Sequence, residues 1–483
     1  MSIFSLTGHK GSTGKESERE SSHQHILKLA IPALGTLAAE PLMGLLDTAL
    51  VGHLGSTELA TLGAANTLLN FLFTNLIFLE YGTTARLSRR FGAGEIDLLI
   101  QEAIQMGWLA TVLGFLITGV LFFFSRPFLQ LLHVTPEVLS MGSLYLSIRA
   151  LGGIPGLWIR LGNGIFRGLQ NTKTPWMIAT GMNLLNALLS IILIFGWPTL
   201  GIPAFRIVGA AWATVIATWV GGVTFLLFVG RSLRAVGSPQ KVQNPESNPG
   251  VIQKIKSSRF INLRLRTAVL RPRWEILGDM LAISRDLLLR TLALQAALFT
   301  GSRMAAGFGT ASLAAHQVGW QLWTFSALLL DSLAIAGQAL VGKALGAGQV
   351  NYARFIGNRL CRWGLGLGTI FCLGFLMLQD LLPRIFTQDP QVLETVNSIF
   401  GLLAGMQIPN SVLFVLDGLL IGASDMVFIR NSMVSLGLLG ILLTWLGGAV
   451  GGNLQGVWIG ITLFMLTRLG IMGLRWMGKG WIR

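Results

Sequence analysis

Apolar runs long enough to cross a bilayer recur along the whole chain. They fall near residues 26–52, 59–84, 98–124, 137–160, 175–197 and 207–230, and resume near 276–302, 311–342, 360–382, 391–421, 428–449 and 454–477. A spanning helix needs ~20 mostly apolar residues, and every run reaches that length. Lipid offers no partner to exposed backbone groups, so runs of this kind fold as helices. The pattern predicts an all-α integral membrane protein with twelve transmembrane helices. A polar stretch divides them into two sets of six. The organisation read from it is a cytoplasmic tail at 1–25, a six-helix lobe at 26–230, a basic linker at 231–275, a second six-helix lobe at 276–477 and a short tail at 478–483.

The two lobes share a sequence register. At an offset of 254, Leu54-Gly-Ser-Thr-Glu-Leu-Ala60 lies over Phe308-Gly-Thr-Ala-Ser-Leu-Ala314, and Gly92-Ala-Gly94 over Gly346-Ala-Gly348. Pro136 and Val138 match Pro390 and Val392, and Gly168 matches Gly422. Glycine-rich composition aligns glycines by chance, but not prolines in the same frame. Six spans per copy bring both copies into the membrane from the same side. That is a parallel internal repeat, with an axis along the membrane normal and a cavity between the lobes.

Composition agrees. Charged residues make up 12% of the chain, about half the share in soluble domains, and mean hydropathy is +0.65. Sixty glycines in an apolar background point to close helix packing. A net charge of +15 raises nucleic acid as a partner, but the basic residues sit in short loops between apolar runs. With the N-terminus placed inside, Arg126, Arg149, Arg206, Arg303 and Arg384 are the only ones of 36 counted with the outer side. This positive-inside bias puts both termini in the cytoplasm and excludes nucleic acid. The segment 231–273 carries ten basic residues and one acid, Glu246, and reads as a solvated topology anchor able to touch anionic lipid.

Several other classes drop out. Residues 1–25 have no apolar core and several acids, unlike a signal or transit peptide. Gly8–Lys15 misses the phosphate-loop spacing, with Glu16 where Ser or Thr belongs. Cys361 and Cys372 are the only cysteines and form no disulfide framework or zinc motif. No HExxH, acidic metal cluster or nucleophile pair lies in the spans, so an enzyme is not expected.

In lipid an ionisable residue is costly, and marks a functional position by default. Asp47 lies deep in the first span. Glu40 precedes it by seven residues, two helical turns, so both are expected on nearly the same face. Pro41 between them removes a helical hydrogen bond and favours a bend.

Longer motifs give a resemblance. Leu46–Gly52 (LDTALVG), Arg86–Glu95 (RLSRRFGAGE), Gly164–Pro175 (GIFRGLQNTKTP), Asn183–Asn186 and Gly209–Thr214 in the first half resemble the MATE family of multidrug and toxin exporters, within it the DinF-like branch. In the second half Arg285–Arg290 (RDLLLR), Leu330–Ser332, Gly337–Gly348 and Leu416–Ala423 carry the likeness. It implies two six-helix lobes in a V, and export of bulky organic cations or amphiphiles against inward H⁺ or Na⁺.

The resemblance also implies a first-lobe ion site at Asp47, Asn163, Asn186 and Thr214. Many relatives have an aspartate one turn after the fifth-span asparagine, where this chain has Ser190. A single carboxylate with amide and hydroxyl neighbours suits a proton better than Na⁺, since a hard cation gains from more anionic oxygens. H⁺ coupling is therefore expected, with Na⁺ at Asp47 the alternative and no other metal or cofactor.

In the second lobe Asp331 and Asp417 are expected to meet a cationic substrate, with Gln295 and Gln338 adding hydrogen bonds. Met43, Phe71, Trp320 and Trp323 are candidates for an adaptable apolar wall. Arg285, Asp286 and Arg290 read as an ion network at the start of the seventh span, and His316 as a hydrogen-bonded packing residue. The picture is a monomeric exporter of a bacterial-type plasma (inner) membrane. A lipid-linked precursor flippase of related architecture is the alternative, disfavoured because the in-span charges read as mainly acidic. At the repeat offset Asp47 faces Gly301, so ion coupling is expected in the first lobe and cation recognition in the second.

Overall fold

Proline and glycine punctuation explains where the helices stop. A computed structural model describes residues 13–132, 134–236 and 272–482. The first lobe contains α1 (Thr13–Gly52), α2 (Ser56–Thr74), α3 (Phe78–Gly92), α4 (Ile96–Leu131), α5 (Pro136–Ala150), α6 (Gly153–Gly168), α7 (Lys173–Phe195) and α8 (Arg206–Val236). The second contains α9 (Trp274–Gly307), α10 (Thr310–Gly346), α11 (Val350–Met377), the short α12 (Leu382–Phe386), α13 (Pro390–Gly405), α14 (Gln407–Gly422), α15 (Met426–Gly451) and α16 (Leu454–Met477). The fourth and tenth spans are each broken, as α5–α6 and α13–α14. Pro155 and Pro409, 254 residues apart, sit two residues inside α6 and α14. Each lacks an N–H and crowds the carbonyl four residues back, so the preceding helix ends there; α13 and α14 meet at 51°.

Nine helices among the described residues are long and apolar enough to cross a membrane, ten with the bent α13–α14 pair. The other two expected spans, α5–α6 and α9, are helical as predicted but charged, with Arg149, Arg160 and Arg167 in one and Arg285, Asp286 and Arg290 in the other. Twelve spans in two lobes follow. One boundary moves: helix begins at Thr13, inside the expected tail, where Lys15, Glu16, Glu18, Arg19 and Glu20 are polar but good helix formers. Most of the expected linker, 237–271, lies outside the described residues.

The repeat is visible in the backbone. Gly94 and Gly348 share φ near +70° (69° and 72°), and Gln170 and Ser424 share left-handed values of 62° and 59°. Both pairs keep the offset of 254. The packing repeats too: α3 against α6 matches α10 against α14, and α1 against α7 matches α9 against α15. Gly164 and Gly418 occupy equivalent places, each without room for a Cβ, against the backbone of Glu80 and Ala334 respectively.

The lobes meet at one end only. α3 packs on α10, the first part of α1 on α10, and α9 and α14 touch α3. A Cβ on Gly92 would strike the Lys343 carbonyl, and one on Gly346 would strike the Arg89 carbonyl. These contacts exchange under the repeat, so the closure is pseudo-two-fold and made backbone to backbone. Gln338 Nε2 donates to the Tyr81 carbonyl at 2.6 Å, and Gln170 Nε2 to the Ala339 carbonyl at 2.7 Å. At the other end α2 packs on α1, α4 and α5 of its own lobe, leaving a V-shaped opening.

Candidate functional site

Two polar centres result, one inside the first lobe and one on the central cavity. In the first, α1 brings Asp47 against α7, whose Asn186 and Ser190 lie one turn apart and are fully buried; Asn163 on α6 and Thr214 on α8 are buried as well. Ser190 Oγ lies 3.2 Å from Asn186 Oδ1 and 3.5 Å from Asp47 Oδ1. A hydroxyl has one proton to donate, so these acceptors compete, and the longer contact is at the limit of a hydrogen bond. Thr214 donates to the Ala210 carbonyl in its own helix at 3.0 Å. Asn163 Oδ1 and Asn186 Nδ2 are buried and make no hydrogen bond within the described protein. Buried polar atoms of that kind call for an explanation.

Asp47 is the sole carboxylate of the cluster, and no group of three or more His, Cys, Asp or Glu side chains among the described residues could hold a metal ion. Arg149, in the last turn of α5, acts electrostatically on Asp47. The sequence counted this arginine with the outer loops and gave no sign of the relationship.

Glu40 lies elsewhere. Its side chain is 78% exposed and stands 3.9 Å from Arg160, which is also 3.9 Å from Glu80. Glu80 in turn pairs with the buried Arg167. The expectation that Glu40 and Asp47 share a site is corrected: Asp47 is buried beside Ser190 of α7, whereas Glu40 is exposed and its nearest charged partner is Arg160 of α6. Glu80 and Arg160 were missed, although an acid inside the apolar run 59–84 was a readable signal.

The second centre lines a cavity of ≈ 900 Å³ between the lobes. Asp331, Gln295, Gln338 and Asp417 all reach it, as do Phe71 and Trp320. Met43, half-buried on α1, does not, and Trp323 is buried against Trp458 with ring centroids 6.4 Å apart. Asp417 is not a free carboxylate. Its Oδ2 accepts from Arg290 Nη2 on α9 at 2.8 Å and from the fully buried Arg468 on α16. The expectation that Asp417 meets a cationic substrate is corrected, because two guanidiniums already neutralise it. Arg290 likewise leaves the network expected for it; Asp286 pairs instead with Arg285 and, at 2.7 Å, with Arg430. The cavity wall thus carries two acids and two arginines, and is balanced rather than acidic. Asp331 has no hydrogen bond or ion pair among the described residues and is the carboxylate open to the cavity. His316 Nε2 lies 3.0 Å from Ser302 Oγ, as a packed residue should.

Comparison with known proteins places this geometry. The family model described as MatE matches residues 32–192 and 287–446, one stretch in each lobe. Protein DETOXIFICATION 43 of Arabidopsis thaliana is 29% identical, over 96% of this chain and 91% of that protein. DNA damage-inducible protein F of Escherichia coli is 27% identical, over 93% of this chain and 90% of that one. Among solved structures, the Vibrio cholerae MATE transporter VcmN in its bent form superimposes with a TM-score of 0.80 at 20% identity, covering 95% of this chain and 97% of that one. At that identity the likeness speaks for the fold alone.

Proposed function

The chain belongs to the MATE (multidrug and toxic compound extrusion) family of membrane transporters, and from that premise we propose that it is an H⁺-coupled antiporter exporting organic cations and amphiphilic drugs. The observation that carries this reading is the separation of two centres: Asp47, a buried carboxylate with no salt bridge among the described residues, inside one lobe, and an apolar, charge-balanced cavity between the lobes. Positive-inside counting puts the closed, basic end in the cytoplasm, along with both termini. The cavity then opens outward, the state that releases substrate and takes up the coupling ion.

An ionised carboxylate only accepts hydrogen bonds; a protonated one also donates. Protonation of Asp47 therefore obliges Ser190 and Asn186 to re-pair. Asn186 Nδ2, and Asn163 Oδ1 on α6, unpaired among the described residues, supply the capacity for it. α1 carries the consequence, since its latter part holds Asp47 against α7 while its first part packs on α10 of the other lobe, with Pro41 between. A proton that prefers one shape of α1 shifts the balance between lobe arrangements by its differential affinity. The donor set offers one carboxylate, with Ser190 where a second would favour Na⁺. In the cavity Asp331 meets the cationic centre, Gln295 and Gln338 contribute hydrogen bonds, and Phe71 and Trp320 meet the apolar body.

The flippase reading calls for a basic cavity, and here Arg290 and Arg468 are offset by Asp417 and Asp331. The protein acts as a monomer in the plasma membrane with no cofactor beyond the coupling ion. Efflux of a cationic dye in everted vesicles tests the proposal when pH and Na⁺ gradients are imposed separately. The pH gradient should drive transport and the Na⁺ gradient should not; transport driven by Na⁺ alone contradicts H⁺ coupling.

A further inference from the structure

A second cavity, ≈ 630 Å³, lies outside the transport route, in the seam where α1 of the first lobe meets α10 and α11 of the second. Its chemistry is graded along one direction. Leu34, Leu329 and Ile370 line one end; His23, Arg359 and Arg362 line the other, and among the described residues no acidic side chain contributes to the wall. The three helices agree on the polarity of the gradient. α1 and α11 run from the basic end, α10 runs toward it, and His23 is where the apolar part of α1 begins. Trp363 Nε1 lies 3.0 Å from His23 Nδ1 and ties α1 to α11 at that basic end.

The internal repeat supplies a control. At the offset of 254, Arg359 and Arg362 correspond to Gln105 and Trp108, and His23 to Leu277. The scaffold alone therefore does not require basic residues here; they belong to this seam only. Gly366 keeps the groove open, for a Cβ there would meet nothing within 4 Å.

We propose that this seam binds an anionic phospholipid of the surrounding bilayer, its phosphate on Arg359 and Arg362 and an acyl chain along Ile31, Leu333 and Gly366. An apolar slot open to hydrocarbon accepts an acyl chain, and two guanidiniums at its headgroup end select negative charge. The bound lipid bridges α1 to α10 and α11, and so touches both lobes where they close.

Native mass spectrometry of the delipidated full chain, titrated with phosphatidylglycerol and separately with phosphatidylcholine, tests this. The wild type should take up one phosphatidylglycerol in preference to phosphatidylcholine. Arg359→Gln with Arg362→Gln should weaken that first binding roughly twenty- to thirtyfold, the effect of two basic residues at an anionic headgroup. Arg231→Gln with Arg234→Gln, which removes equal charge away from the groove, should leave it unchanged. Gly366→Phe fills the acyl slot without altering charge and should also abolish it, so this variant carries the test if the arginine variant does not fold. Equal binding of the two lipids, unaltered phosphatidylglycerol binding in the Arg359/Arg362 or Gly366 variants, or an equal loss in the Arg231/Arg234 control overturns the proposal.

Discussion

Arg290 on α9 donates to Asp417 on α14 at 2.8 Å, across helices whose residues are 127 apart in sequence. With Arg468 on the same oxygen, the pair makes Asp417 part of the wall, while Asp331 stays open to the cavity.

That difference separates two substitutions of like chemistry. Asp417→Asn leaves the buried Arg468, and the part-buried Arg290, without the carboxylate they share, a change of about 3–5 kcal/mol in stability. It should lower the melting temperature and the yield. Asp331→Asn breaks no ion pair and should leave the melting temperature within a few degrees of wild type while cationic dye export falls at least about tenfold, one charged contact being worth ~1.5–3 kcal/mol. Thermal melts alongside vesicle transport check both; the reverse order of effects contradicts the roles assigned.

The closed end makes a prediction about motion. A Cβ placed on Gly342 of α10 would lie 3.0 Å from Ser88 Cβ on α3, slightly inside the ~3.5–4.5 Å of disulfides. In a background lacking Cys361 and Cys372, Ser88→Cys with Gly342→Cys should crosslink under mild oxidation. Transport should fall to background and return on reduction. Full transport by the crosslinked protein would show that the lobes need not part at this end.

The spans and the repeat were legible because each rests on a local rule: hydropathy over ~20 residues, and prolines and glycines held in one frame. Pro155 and Pro409, where two spans break, share the same offset but were not read as break points. The partners of charged residues were not legible. Asp417 reaches Arg290 and Arg468 through the packing of three helices, which no spacing encodes. Helical periodicity put Glu40 and Asp47 on one face but said nothing of what covers each turn; Asp47 is buried beside Ser190, and Glu40 is exposed near Arg160. Arg149 was assigned by its place near a loop, yet α5 carries it to where its field reaches Asp47. The set Asn163, Asn186, Ser190 and Thr214 came from family likeness; of these, Ser190 reaches Asp47 and Asn186 reaches Ser190.

Ser190 offers a gain-of-function test. Ser190→Asp sets a second carboxylate beside Asp47, whose Oδ1 is 3.5 Å from Ser190 Oγ, and two anionic oxygens suit a hard cation. Dye export by this variant should acquire a Na⁺-driven component absent from the wild type, measured with an imposed Na⁺ gradient at equal pH. No response to Na⁺ would mean the missing acid is not what sets the ion preference.

The central claim is that Asp47 couples transport to protons without touching the substrate. The most direct measurement compares wild type with Asp47→Asn in two assays on one preparation: equilibrium binding of a cationic dye to purified protein, and pH-driven dye accumulation in vesicles with matched membrane expression. Binding within about threefold of wild type together with loss of driven accumulation is the expected result, since a threefold change is under ~0.7 kcal/mol. Retained pH-driven accumulation, or loss of dye binding itself, would contradict the claim.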